Sequence, residues 1–262
     1  MSSLPEVMAA LEAIAPLRLA ADWDAVGLLV SPRRPSIHRI LTCLTLTPEV
    51  ATEAVRRQVD LVVSHHPLPF RPIARITPDT VAGRVLLELV GAGVGVWSSH
   101  TAWDSAAGGI NDQLAAIIGL EQVAPIEPDG IDPRVGFGRQ AQATAGVTVS
   151  ALAQRLSATL EPTAVQIVGD GEREAGRVGI VCGSGGDLVG QVAAAGCTTL
   201  VTGEIKLHQA VEARAVGLAV IAVGHHASEH FAMVELGRRR AALLPDLDIL
   251  PADDDRDPIG WL

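Results

Sequence analysis

Apolar positions in residues 4–15 recur at the three-to-four spacing of an amphipathic helix, whereas 37-IHRILTCLTLT-47 alternates apolar and β-branched residues as a strand does. Thr47-Pro48-Glu49 reads as a helix start, with a capping threonine, proline at the first helical position and an acid in the first turn. That helix runs to about Gln58, and 60-DLVVSHH-66 follows as a buried strand. The three segments form a βαβ unit, whose strands are expected parallel and whose crossover is expected right-handed.

The pattern recurs. Laid without gaps on residues 40–66, the stretch 178-VGIVCGSGGDLVGQVAAAGCTTLVTGE-204 matches strand for strand and helix for helix. Each unit is followed by a further helix and strand: 81–93 with 94-VGVWSSHTAWD-104, and 205–217 with 218-LAVIAVGHHASE-229. The expectation is an α/β protein of two similar lobes, residues 1–125 and 126–262, each built on a mainly parallel sheet. The Pro- and Gly-rich segment 125-PIEPDGIDPRVGFG-138 is the expected crossover.

With 262 residues and 48% apolar content the chain can bury a substantial core. No apolar stretch approaches the roughly 20 residues that span a bilayer, and the N-terminus lacks a signal peptide's basic and apolar regions, so the default expectation is a cytoplasmic protein. A net charge of −10 with Lys206 as the single lysine opposes a polyanion-binding surface, and nucleic acid is not an expected partner. The acidic run 252-ADDDRDP-258 reads as a solvated terminus. Cys43, Cys182 and Cys197, an odd number without a CxxC pair, read as reduced structural thiols.

Ligands of open α/β sheets collect at the carboxyl ends of strands. Four such ends carry histidines and acids: His65 and His66; His100 and Asp104; Glu204 and His208; His225 and Glu229, with His226 alongside. Imidazoles and carboxylates without thiolates suit zinc, iron, manganese or cobalt, and two facing clusters would hold two ions. Each element also has an ordinary reading. The doublet His65-His66 can be a turn feature, His-x-x-x-acid a helix surface pair, and His38 and His230 packing residues. Neighbouring side chains on a strand point apart, which argues against one shared site. At a strand end before Pro67, however, diverging histidines could grip two ions. Gly183-Ser184-Gly185-Gly186 is either a phosphate cradle or, more simply, a tight turn; it lacks the dinucleotide fingerprint and the P-loop lysine. No G-x-S-x-G elbow is present.

The stretches 21-ADWDAVGLLV-30, 64-SHHPLPF-70, 99-SHTAWDSAAGGIND-112, 183-GSGGDL-188, 202-TGEIKLH-208 and 224-GHHASE-229 resemble the Nif-three-like dinuclear metal-centre family, the type 2 homologues of GTP cyclohydrolase I. The resemblance implies a two-lobed α/β subunit, a toroidal homohexamer and two divalent ions in the cleft between the lobes. By motif, His66 and Asp104 would bind one ion, His65 and His225 the other, and Glu229 would bridge both. His100, Glu204 and His208 would contact the site, with His100 and His208 as candidate acid or base groups. Two asparagines of the family pattern are replaced: W-D-N-x-G-L reads Trp23-Asp24-Ala25-Val26-Gly27-Leu28, and T-N-x-D reads Thr101-Ala102-Trp103-Asp104.

The function expected is metal-dependent hydrolysis of a small nucleotide-like or phosphorylated molecule by a bridging hydroxide. The alternative is a non-enzymatic ring-shaped protein that stores or delivers metal or regulates a partner; a third, dinucleotide binding at the glycine loop, predicts stabilisation by NAD.

Overall fold

The computed structural model of the chain describes residues 2–260. In chain order it holds β1 (Ser2–Ser3), α1 (Leu4–Ile14), β2 (Gly27–Val30), β3 (Ser36–Ile37), β4 (Arg39–Cys43), α2 (Pro48–Arg56), β5 (Leu61–Ser64), α3 (Val81–Ala92), β6 (Gly95–Ser98) and α4 (His100–Ser105). There follow α5 (Ile110–Ile117), β7 (Glu127–Pro128), β8 (Gly136–Phe137), β9 (Arg139–Gln142), α6 (Val149–Leu160), β10 (Gln166–Val168), β11 (Arg177–Val181), α7 (Val189–Ala194), β12 (Thr199–Thr202), α8 (Leu207–Ala215), β13 (Ala219–Ala222), α9 (His225–Leu243) and β14 (Asp248–Pro251). The residues group into two compact units: those up to Trp103 with Ala232–Arg256, and Asp104–Phe231 with those from Asp257 on. Residues 232–256 group with the first unit because β14, late in the chain, pairs with β4.

Capping chemistry sets the helix starts of the first unit. Ser3 and Glu6 form a reciprocal capping box at α1, and the Thr47 hydroxyl accepts the Val50 amide at 3.2 Å at the head of α2. The sheet runs β14-β4-β5-β6-β2, all parallel except β2. Side chains alternate between two cores. Leu41, Cys43, Val62 and Val96 share one cluster with Val50, Ala54, Val85 and Leu89 of α2 and α3, while Ile40, Leu61, Val63 and Trp97 share the other with Val7 and Leu11 of α1. Both faces are covered, as a parallel sheet requires, and each fully buried aliphatic side chain contributes about 1.5–3 kcal/mol.

In the second unit the order is β9-β11-β12-β13-β10, with β11, β12 and β13 parallel and both edges antiparallel. Val181, Leu200 and Val220 pack with Val189 and Val192 of α7 and Ala213 of α8. Ile40 faces Leu61 in the first sheet and Val178 faces Thr199 in the second, the positions that the ungapped alignment equates.

Two expectations are corrected. The strands read as 94–104 and 218–229 stop at Ser98 and Ala222, and His100 and His225 instead open helices, so the acid four residues on lies one helical turn away. The acidic tail is solvated only in part: Asp253 and residues 256–258 are exposed, but the segment docks through the Asp253 and Asp254 amides and the Asp255 carboxylate. Glu53, buried in α2, accepts the amides of Asp253 and Asp254 at 3.0 Å each and pairs with Arg57 at 2.6 Å. The buried Asp255 carboxylate accepts the amides of Leu44 at 2.5 Å and Thr45 at 3.3 Å. A carboxylate that satisfies loop N–H groups is stabilised where it would otherwise prefer water.

Candidate metal centre

The histidine doublet continues the ladder past the end of β5: the His65 amide donates to the Cys43 carbonyl at 3.0 Å and the His66 amide to the Leu44 carbonyl at 2.9 Å. The Ser64 hydroxyl then caps the His66 carbonyl at 2.7 Å, turning the chain before Pro67. As a result the rings of His65 and His66 converge instead of pointing apart, with centroids 5.1 Å from each other and 5.2 and 5.6 Å from that of His100. One ligand atom from each of the three lies within 4.8 Å of the others.

Two of these rings are held by second partners. Thr45 Oγ1 lies 2.9 Å from His66 Nδ1, and the Asp24 carboxylate lies 2.9 Å from His100 Nδ1. Asp24, its side chain 1% exposed, also accepts from the Thr101 hydroxyl at 2.6 Å and the Thr101 amide at 3.1 Å. Burial alone would raise the Asp24 pKa, but these donors hold it below the ordinary range. A carboxylate or hydroxyl on Nδ1 leaves Nε2 as the ring's ligand or base atom, the usual support of metal-binding histidines. His100 sits at φ +23°, a strained backbone for a non-glycine residue, held by Asp24 and by its amide bond to the His65 carbonyl at 3.2 Å.

In the second unit, His225 at the head of α9 places Nε2 3.2 Å from Glu229 one turn on and Nδ1 3.3 Å from Glu204 after β12. Burial would depress its pKa, but the two carboxylates push it up to about 9. Ser184 donates to Glu204 at 2.5 Å and, against the effect of burial, lowers its pKa, with His225 adding to the shift. The glycines around this group have steric reasons. Gly183, at φ +60°, approaches Glu229 Oε1 so closely that a Cβ would collide with it and come within 3.1 Å of His225 Nε2, while a Cβ on Gly203 would meet the Gly183 carbonyl at 2.6 Å. Glycine is therefore demanded by the carboxylate and imidazole packed against the loop.

Asp104 lies in this unit, where its Oδ1 accepts from Cys182 Sγ at 3.3 Å; Asn111 Oδ1 accepts the Cys182 amide at 2.9 Å. Burial, with the anions of Asp104 and Glu229, raises the Cys182 pKa well above its ordinary value, so the thiol is a donor in this arrangement. His208 is exposed on α8 and belongs to none of the His, Cys, Asp and Glu groups able to hold an ion among the described residues. Asp24, Thr45, Ser184 and Cys182 have functional neighbours that sequence reasoning did not assign to them; Asp24 could have been found from its place beside Trp23 in the W-D motif. His226 and His230 stack at 4.4 Å, and with Glu204, His225 and Phe231 they line a cavity of about 440 Å³.

Imidazoles fixed at Nδ1 in the first unit, and an imidazole beside two carboxylates in the second, are donor types that suit a borderline divalent cation. Fold and side chains together define a mixed α/β protein carrying histidine and carboxylate groups able to bind metal. Over residues 2–258 the sequence matches the family model Duf34/NIF3 (NGG1p interacting factor 3), and the chain belongs to that family. It is 30% identical over 260 residues to the GTP cyclohydrolase 1 type 2 homolog of Clostridium perfringens (strain 13 / Type A), with 99% of each chain covered. The homolog of the same name from Streptomyces coelicolor is 36% identical over 234 residues, which are 87% of this chain and 82% of that one. Among solved structures, a Bacillus cereus protein related to NIF3 superposes with a TM-score of 0.90 at 17% identity, covering 100% of this chain and 99% of the other, a likeness of fold. Among the described residues no helix is long and apolar enough to cross a membrane.

Proposed function

We propose that the chain is a dinuclear metal-dependent hydrolase acting on a small nucleotide-like or phosphorylated molecule, with His65, His66, Asp104, His225 and Glu229 as its ligands. The observation that carries this reading is the convergence of His65, His66 and His100, two of them held at Nδ1 by Thr45 and Asp24. His225, with its pKa pushed up to about 9 by Glu229 and Glu204, supports it from the second unit: the surroundings favour a cation where the proton sits. Bound ions would polarise the scissile group and lower the pKa of a water toward neutrality. His100 Nε2, oriented by Asp24, is the candidate proton carrier; Ser184 and Glu204 orient His225. The 440 Å³ cavity beside Glu204 and His225 suits a small ligand.

Residues 1–125 and 126–262 are, on this reading, two lobes of an internal repeat; the matched register of β4 with β5 and of β11 with β12 supports it. A cytoplasmic homohexamer completes the proposal, and light scattering tests the hexamer. For the metals, elemental analysis after reconstitution with manganese, iron or zinc is expected to give two ions per chain, and Glu229→Gln one or none. His65→Ala and His66→Ala are expected to remove different ions. Turnover of a nucleotide and phosphoester panel tests the activity. Two ions exchanged readily without turnover of any compound would replace hydrolysis with metal delivery.

A further inference from the structure

Only 3% of the chain is aromatic, and Trp97 and Trp103 are buried at 1% and 0% exposure. Trp23 and Phe70, in contrast, are 66% and 51% exposed. Apolar surface of this size would contribute about 1.5–3 kcal/mol per side chain if buried, so its exposure beside functional groups calls for an occupant.

Trp23 is carried on a braced turn. The Asp24 amide donates to the Ala21 carbonyl at 2.9 Å, the Ala21 amide donates to Thr101 Oγ1 at 3.0 Å, and the Asp24 carboxylate holds Thr101 and His100. Both residues flanking the Asp22-Trp23 tip are thus tied to the start of α4. The three rings contact one another at their edges: Trp23 and Phe70 are 6.1 Å apart at 51°, and each lies 6.0 Å from His100 at 76° and 74° respectively. Tilted and edge contacts at this separation do not use up the ring faces.

We infer that Trp23 and Phe70 form a stacking platform for a planar heteroaromatic ring, such as a nucleobase, and set that ring beside His100. Stacking fits these residues because it asks only for a π-face and tolerates substituents, and two rings provide far less area than the roughly 800 Å² per partner of a stable protein interface. The inference deepens the proposed function, on which it rests for the role of His100 and not for ring binding.

The test is calorimetric titration of the full chain, metal-loaded and metal-stripped, with guanosine monophosphate, guanosine and inorganic triphosphate. Trp23→Ala and Phe70→Ala are each expected to weaken binding of both ring compounds on the order of tenfold. Trp23→Phe is expected to stay within about threefold because it keeps a π-face. Triphosphate binding and metal content should be the same in all variants. Ring binding that persists without metal and still falls in Trp23→Ala supports the platform even if the hydrolase reading fails. Ring affinity unchanged by either alanine variant, or no ring binding by the wild type, overturns it. So does a Trp23→Ala protein that changes oligomeric state with its ring affinity intact, because the exposed apolar loop with Ile73 and Ile76 would then be a contact between copies.

Discussion

Replacing Asp24 with asparagine isolates the link between a buried carboxylate and a functional imidazole. The native carboxylate accepts three donors, His100 Nδ1, the Thr101 amide and the Thr101 hydroxyl, at 2.9, 3.1 and 2.6 Å. Hydrogen bonds to a charged group contribute about 1.5–3 kcal/mol each. Asparagine keeps one acceptor oxygen, which can serve the Thr101 donors, and turns its NH₂ toward the ring. One charged bond is then lost and the others weakened, so the unfolding free energy should fall by about 2–3 kcal/mol. The ring responds as well: facing an amide donor, Nδ1 must accept, so the proton moves to Nε2 and blocks the atom that would take a proton. Turnover should fall about 100-fold or more while metal content stays at the wild-type level. Urea unfolding gives the first quantity, nitrogen NMR of the imidazole the tautomer, and turnover kinetics with elemental analysis the third. A variant within about 0.5 kcal/mol of wild type, with the His100 tautomer unchanged, would refute the reasoning.

Other substitutions probe the surrounding frame. Glu53 is held below its ordinary value of 4.5 because the Asp253 and Asp254 amides and Arg57 outweigh burial. Its contribution is therefore complete above the unfolded pKa of about 4.3 and is lost as pH falls through the lower native value. Glu53→Gln should lower stability at pH 7 by about 2–4 kcal/mol and flatten the acid limb of the stability profile, measured by urea titration across pH 3–7. Gly183→Ala places a Cβ against Glu229 at φ +60°; roughly 1–2 kcal/mol of destabilisation is expected, with a larger loss of bound metal, read by elemental analysis. Cys182, buried and donating to Asp104, should resist iodoacetamide in the native protein and react at an ordinary rate in urea, as mass spectrometry would record.

The βαβ units were legible because apolar periodicity and the Thr47-Pro48 cap are local signals. The clustered histidines at strand ends were legible for the same reason. The role of Asp24 was not: the W-D motif marks the position, but its partners His100 and Thr101 lie about 76 residues away and only the fold brings them to it. Cys182 read as a plain buried thiol because its bond to Asp104 depends on tertiary packing. The tail misled most. Its run of acids is what a solvated terminus looks like, and only the unpaired amides at the end of β4 and the buried Glu53 explain why it docks.

That docking gives the molecule a schedule. Asp255 braces the amide of Thr45, and Thr45 in turn holds His66, so a ligand written at position 66 is braced by a residue written at 255. At about 5–20 residues per second of synthesis, the sheet of the first unit waits several seconds or more for β14, while nearly all of the second unit has already been made. During that interval β4 presents an open edge to the crowded space around the ribosome. Residues 39–43 are then the edge of the nascent sheet most exposed to mispairing, until β14 covers it.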